Sequence, residues 1–196
     1  MTLAELISEV YTITGRPDRI AETSSAVKSA ILKLHQSDFY YKDLFESGLA
    51  FSTADYVQNL DYRLLIPRFR SVKYFRKYDY INNSPGSFLT KIEPEQILDR
   101  YASQKSDIFY VAGAYIQINS STQEQYYLFG CYLNPDISGT STSSWIALDH
   151  PYAIIYDAAA KIEVTLGKLD EAKIHQALAQ DELLKIQISN IQPIGY

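Results

Sequence analysis

The 196-residue chain is long enough for one core, or for a body with one inserted subdomain, because single cores run to roughly 100–200 residues. A hydrophobic fraction of 46% with 21% charged residues excludes wholesale disorder and fibrous repeats. The net charge of −5 argues against a chain whose main task is gripping nucleic acid, and the single Cys131 excludes an intrachain disulfide and a thiolate zinc site.

Thr2 and Glu5 have the T-x-x-E spacing of a capping box, and Leu3, Leu6, Ile7 and Val10 follow at helical intervals until Gly15 stops the helix. After the turn Arg16-Pro17-Asp18, Thr23 or Ser24 is expected to cap a second helix with the apolar stripe Val27, Ala30, Ile31 and Leu34. From Asp43 the pattern changes to short β-like runs, Leu44–Phe51, Tyr56–Tyr62 and Val72–Tyr80. Asn82-Asn83-Ser84-Pro85-Gly86 reads as a turn, and Glu93–Leu98 as the start of a short helix with Pro94 early in it. Ile108–Asn119 and Gln125–Leu133 read as one hairpin around Ser120-Ser121-Thr122, and Ser138–Ser144 as a polar loop. Pro151 opens an Ala-rich helix, Tyr152–Leu166, that Gly167 ends, and a last helix runs from Asp170 to about Ile188.

That last helix carries two apolar sides. At about 100° per residue, Ile174, Ala177, Leu184 and Ile188 fall on one side, and Ala172, Ala179, Leu183 and Ile186 fall near the opposite one. A single core cannot cover both, so a second partner is implied. The predicted fold is α+β: residues 1–42 and 145–188 supply N- and C-terminal helices of a helical bundle body, 43–144 form an inserted β-rich region with one short helix, and 189–196 form an extended C-terminal arm.

No constellation with catalytic spacing stands out. His35, His150 and His175 stand alone, without H-E-x-x-H or C-x-x-C neighbours, and read as surface or capping histidines. No G-x-S-x-G, Walker or dinucleotide loop is present, and Glu93, Glu95 and Asp99 read as helix-dipole partners rather than a glycosidase pair. No enzyme activity, cofactor or metal is expected. Cys131 reads as a small buried hydrophobe and Trp145 as a packing anchor. Arg63, Arg68, Arg70, Lys73, Arg76 and Lys77 place six of the eighteen basic residues in fifteen positions, interleaved with Phe69, Tyr74, Phe75 and Tyr78. Strict alternation puts Arg68, Arg70 and Arg76 on one face and Lys73 and Lys77 on the other, so a charge-protected edge or a patch for an acidic partner fits better than a single-strand-binding surface. Seventeen Tyr residues supply rigid, amphipathic contact area suited to interfaces. The start Met1-Thr2-Leu3-Ala4-Glu5 lacks the features of a signal peptide, and no run reaches about 18 apolar residues, so neither that secretory route nor a membrane span is expected.

Trp145-Ile146, His150-Pro151-Tyr152, Ile154-Ile155-Tyr156-Asp157-Ala158-Ala159-Ala160, Leu166-Gly167-Lys168-Leu169-Asp170-Glu171-Ala172 and Asp181-Glu182-Leu183-Leu184 together resemble the helix, turn and helix of the head-to-tail adaptor family of tailed phages, podovirus type. In motif the likeness covers the C-terminal third, and in order of elements most of the chain. What it implies is a virion protein of the phage neck, assembled in the host cytoplasm. It would oligomerise into a ring, typically a dodecamer, below the portal and extend a channel through which genomic DNA passes without specific binding. In that setting Ala172, Ile174, Ala179, Leu183, Leu184 and Ile186 are expected between subunits. An arm containing Gln187, Ile188, Ile191, Pro193, Ile194 and Tyr196 is expected on the portal. The β-rich region, with Arg68, Arg70, Lys73, Tyr74, Arg76 and Lys77, is expected at tail nozzle or tail fibre proteins. The alternatives are a connector or completion protein at another level of the virion, a single-strand nucleic-acid-binding module and a cell-wall hydrolase.

Overall fold

The computed structural model describes residues 1–51, 57–97, 106–121, 125–138 and 144–191. The chain is α+β and divides into two units. Met1–Asp43 and Asn134–Tyr196 make the first, and Leu44–Leu133 the second.

In the helical unit, α1 (Leu3–Thr14) begins at the Thr2 cap. The Thr2 hydroxyl accepts from the Glu5 amide at 3.3 Å, the Glu5 carboxylate accepts from the Thr2 amide at 2.7 Å, and Gly15 ends the helix at φ 65°. The second helix, α2 (Ile20–Gln36), starts earlier than its sequence signals indicate: Arg19 is the cap residue and Thr23 is a buried interior position facing the core. A short α4 (Trp145–Asp149), capped by Ser144, precedes α5 (Pro151–Thr165) and α6 (Leu169–Ile191), so a helix stands where the sequence showed only a packing anchor. The central element is α5. It packs against α1, α2, α4 and α6, and its buried Ala153, Ala158, Ala159 and Ala160 leave room for close helix approach. Its apolar residues cover most of its circumference, leaving Tyr152, Lys161 and Val164 toward solvent, so its stability comes from the helices packed around it. Leu6, Val10, Val27, Ile31, Ile146, Ile154, Ile155 and Ile186 fill the shared core.

The β unit is two four-stranded sheets. Sheet A has the order β1 (Leu44–Phe51), β8 (Gln125–Leu133), β3 (Phe69–Asp79), β4 (Ser84–Phe88) and is antiparallel throughout. Sheet B has the order β2 (Val57–Asp61), β7 (Tyr115–Asn119), β6 (Ile108–Ala112), β5 (Thr90–Lys91), with β5 parallel to β6. A four-residue helix, α3 (Tyr62–Leu65), follows β2, and Pro94–Ile97 form a short helix of 3-10 type where a short helix was expected to start, Leu98 lying outside the described residues. Phe75 and Phe129 from sheet A pack on Phe109, Ile116 and Ile118 from sheet B. The Phe75 and Phe109 rings meet edge to face at 5.0 Å.

Three strand expectations change. Ser84-Pro85-Gly86 belongs to the edge strand β4 rather than to a turn, and an edge is where a strand tolerates proline. The hairpin turns at Gly113 (φ 59°), inside the run taken as one strand, so β6 pairs with β7 while β8 joins the other sheet between β1 and β3. The strand β3 is not evenly alternating: its register against β8 shifts between Phe69 and Ser71 and again between Val72 and Tyr74. Arg70 and Lys73 are the extra residues of two bulges, and Phe69, Val72 and Phe75 reach the same core at intervals of three.

Candidate assembly surfaces

The last helix, α6, uses its two sides differently. Ala172, Ala179 and Ile186 are buried in the protomer's own core, and Leu183 packs against it half-buried. His175 fixes the rotation of the helix: its Nδ1 lies 2.7 Å from the buried Glu163 carboxylate and its ring stacks on Tyr156, both on α5. On the far side Ile174 (61% exposed), Leu178, Leu184 (56%) and Ile188 (58%) face solvent. Of the six residues expected between subunits, Ala172, Ala179, Leu183 and Ile186 are thus committed to the protomer's own packing. Ile174 and Leu184 remain exposed, and so do Leu178 and Ile188.

The helix also runs further than expected. Ser189, Asn190 and Ile191 are helical, not part of an extended arm, because the buried Asn190 carboxamide accepts the Tyr41 amide at 3.1 Å and ties this last turn down. Gln187 is half-buried and Ile188 exposed on the helix, whereas Pro193, Ile194 and Tyr196 lie outside the described residues.

The bulges reorganise the basic segment. Lys73 lies over the Tyr132 ring at 5.8 Å, and the Arg76 guanidinium lies over Phe88 at 4.7 Å and donates to the Gly86 carbonyl. Tyr74 meets Phe88 edge to face at 5.5 Å, directly above Gly130. Lys73, Tyr74 and Arg76 therefore share one face of sheet A. The expectation from strict alternation, which set Lys73 against Arg76, fails because one extra residue resets the parity. Lys77 points to the other face, 2.7 Å from Asp107 and 2.9 Å from the Ser121 hydroxyl. Burial works against the charge of Asp107, but the bonds from Lys77 and Ser121 outweigh it and hold its carboxyl below the usual range. Arg68 precedes β3 in the left-handed region at φ 67°.

The sequence missed a buried polar cluster in the helical unit. His35 Nδ1 lies 2.9 and 3.0 Å from the two carboxylate oxygens of Asp43, and its Nε2 is 2.8 Å from the Ser144 hydroxyl. Trp145 Nε1 donates to the same carboxylate at 2.8 Å, and Ser144 accepts the Ala147 amide. His35 is 1% exposed, so the expectation of a surface or capping histidine is overturned. Ser, His and Asp here stand in the order of a charge relay. Ser144, however, is wholly enclosed and occupied as the α4 cap, so the cluster's evident work is to tie α2, α4 and the Asp43 turn together. A carboxylate accepts only, so a neutral His35 carries its hydrogen on Nδ1 and its Nε2 accepts a hydrogen bond from the Ser144 hydroxyl. His150 occupies the cap position of α5 without a side-chain capping bond.

Cys131 is buried in the sandwich, and burial pushes its thiol up to about 11, which removes thiolate chemistry at neutral pH. Among the described residues no group of three or more His, Cys, Asp or Glu side chains is placed to hold a metal ion, and no helix is long and apolar enough to cross a membrane. Neither a known protein-family model nor a curated protein matches the sequence.

Proposed function

We propose that the chain is a structural virion protein, a head-to-tail adaptor that forms one subunit of a ring between portal and tail and extends the DNA channel. The observation that carries this reading is the second apolar side of α6, with Ile174, Leu178, Leu184 and Ile188 left in water by a protomer whose core is already complete. In this reading the terminal helices form the bundle that builds the ring wall. The likeness of Trp145–Leu184 to the adaptor family supports that role, and the net charge of −5 suits a conduit that must release its DNA. The inserted β unit supplies the surface for tail nozzle or fibre proteins. Its exposed Tyr80, Ile81, Phe88, Tyr115 and Tyr126 are the aromatic and aliphatic anchors such contacts use. The ring, a dodecamer by resemblance, needs no cofactor, catalytic residue or membrane.

Mass measurement of the purified chain, alone and mixed with the portal of its own phage, tests the reading. A defined ring-sized complex formed with portal is expected; a monomer indifferent to portal overturns it. Because Asn190 holds the last turn of α6, the portal arm is tested by deleting 192–196 alone. The truncated chain is expected to fold normally and lose portal affinity, and unchanged affinity removes the arm's role.

A further inference from the structure

A groove lies along the unit on the other side of α5. Ala21, Ser25 and Ser29 follow each other at intervals of four on α2 with their small side chains exposed, and Ala26 and Ile162 floor a shallow trough of 530 Å³ beside them. Thr165 and Lys161 close it from α5, and Glu22, paired with Arg19 at 3.3 Å, lines its α2 side beside the small residues. The Lys161 ammonium reaches Ser29 at 3.2 Å and Asp157 at 2.8 Å while its side chain stays 37% exposed. This trough is well separated from α6. On α5, α6 covers Glu163 and Tyr156, and two residues along a helix turn about 200°, so Lys161 and Thr165 lie on the opposite side.

We propose that the exposed stripe of α6 on one copy of this chain seats in the α2–α5 groove of the next copy. Three features fit the two surfaces to each other. Large side chains project from α6 where α2 offers small ones, the ridge-into-groove match of packed helices. Ala21 to Ser29 spans about 12 Å of α2, and Leu178 to Leu184 about 9 Å of α6, so the middle of the stripe fits the trough. Asp181, exposed at the centre of that stripe, brings a negative charge to the part-exposed Lys161. With ridge and groove on opposite sides of the unit, a two-fold pair cannot satisfy both. Each added copy leaves one ridge and one groove open, and such a head-to-tail contact propagates until rotation closes it into a ring. Ring closure rests on the adaptor reading; the contact itself does not.

Cysteine crosslinking of the full chain tests the contact. The variants Leu184→Cys and Ser25→Cys are oxidised singly, as an equal mixture and as the double variant, at high protein concentration with and without portal. The buried native Cys131 stays silent. The expected result is a mixed dimer from the mixture, a ladder of higher species from the double variant and nothing from either single variant. Adding Ala21→Arg, an exposed substitution that fills the groove, is expected to abolish the ladder. Dimers from Leu184→Cys alone overturn the proposal in favour of α6 pairing with α6. No crosslink in any sample, or a ladder that survives Ala21→Arg, also overturns it. A ladder from a chain that ignores portal keeps this contact and removes the adaptor reading; portal binding without a ladder does the reverse.

Discussion

His35 has both ring nitrogens sealed from solvent, so its polar contacts and those of Asp43 and Ser144 depend on one another. Removing the imidazole strips Asp43 of a charge-assisted bond, takes one bond from the Ser144 hydroxyl and leaves a cavity. His35→Ala is expected to cost about 3–5 kcal/mol. Ser144→Ala, which removes a helix cap as well as the imidazole contact, costs about 1–2 kcal/mol. Urea unfolding of both single variants and the double variant measures the coupling, and the double variant should lose less than the sum. Additive losses would show that cap and imidazole act separately. None of this was visible in the sequence, because His35 and Ser144 are 109 positions apart and no local spacing joins them.

The helices were legible where their determinants are local. The Thr2–Glu5 box, Gly15, Pro151 and Gly167 each act within one turn of chain, and each stands where its chemistry required. The two-sided pattern of α6 was equally plain, because periodicity alone reveals it. The sheets were not, since strand order and bulges are set by partners distant in sequence. Nothing in Phe69–Asp79 announces that Arg70 and Lys73 are the extra residues; the pairing with β8 decides it. That pairing also places the Tyr74 ring over Gly130, where an added Cβ would lie 2.5 Å from the ring. Gly130→Ala is therefore expected to displace Tyr74 from Phe88 and cost about 1–3 kcal/mol, read as a lowered thermal midpoint. Combining it with Tyr74→Ser should recover part of the loss, and no recovery would place the strain elsewhere.

At the scale of the molecule, the proposed ring would draw on the side of α6 opposite to the one that folding uses, which makes the two separable. The variant carrying Ile174→Asp and Leu184→Asp changes only exposed positions, so its urea stability should stay within about 0.5 kcal/mol per site of the parent, while its assembled species disappear from the mass profile. A drop of several kcal/mol would instead assign the stripe to the protomer's core. A second separation follows from the register of β1 on β8. Leu44, which opens the β unit, lies opposite Tyr132, the residue before its last, Leu133, with Cα atoms about 5 Å apart. A gap that narrow can be bridged by a tight turn. The β unit is thus an insertion whose two chain ends leave it side by side, so that a short linker in its place would leave the path of the helical unit's chain unbroken.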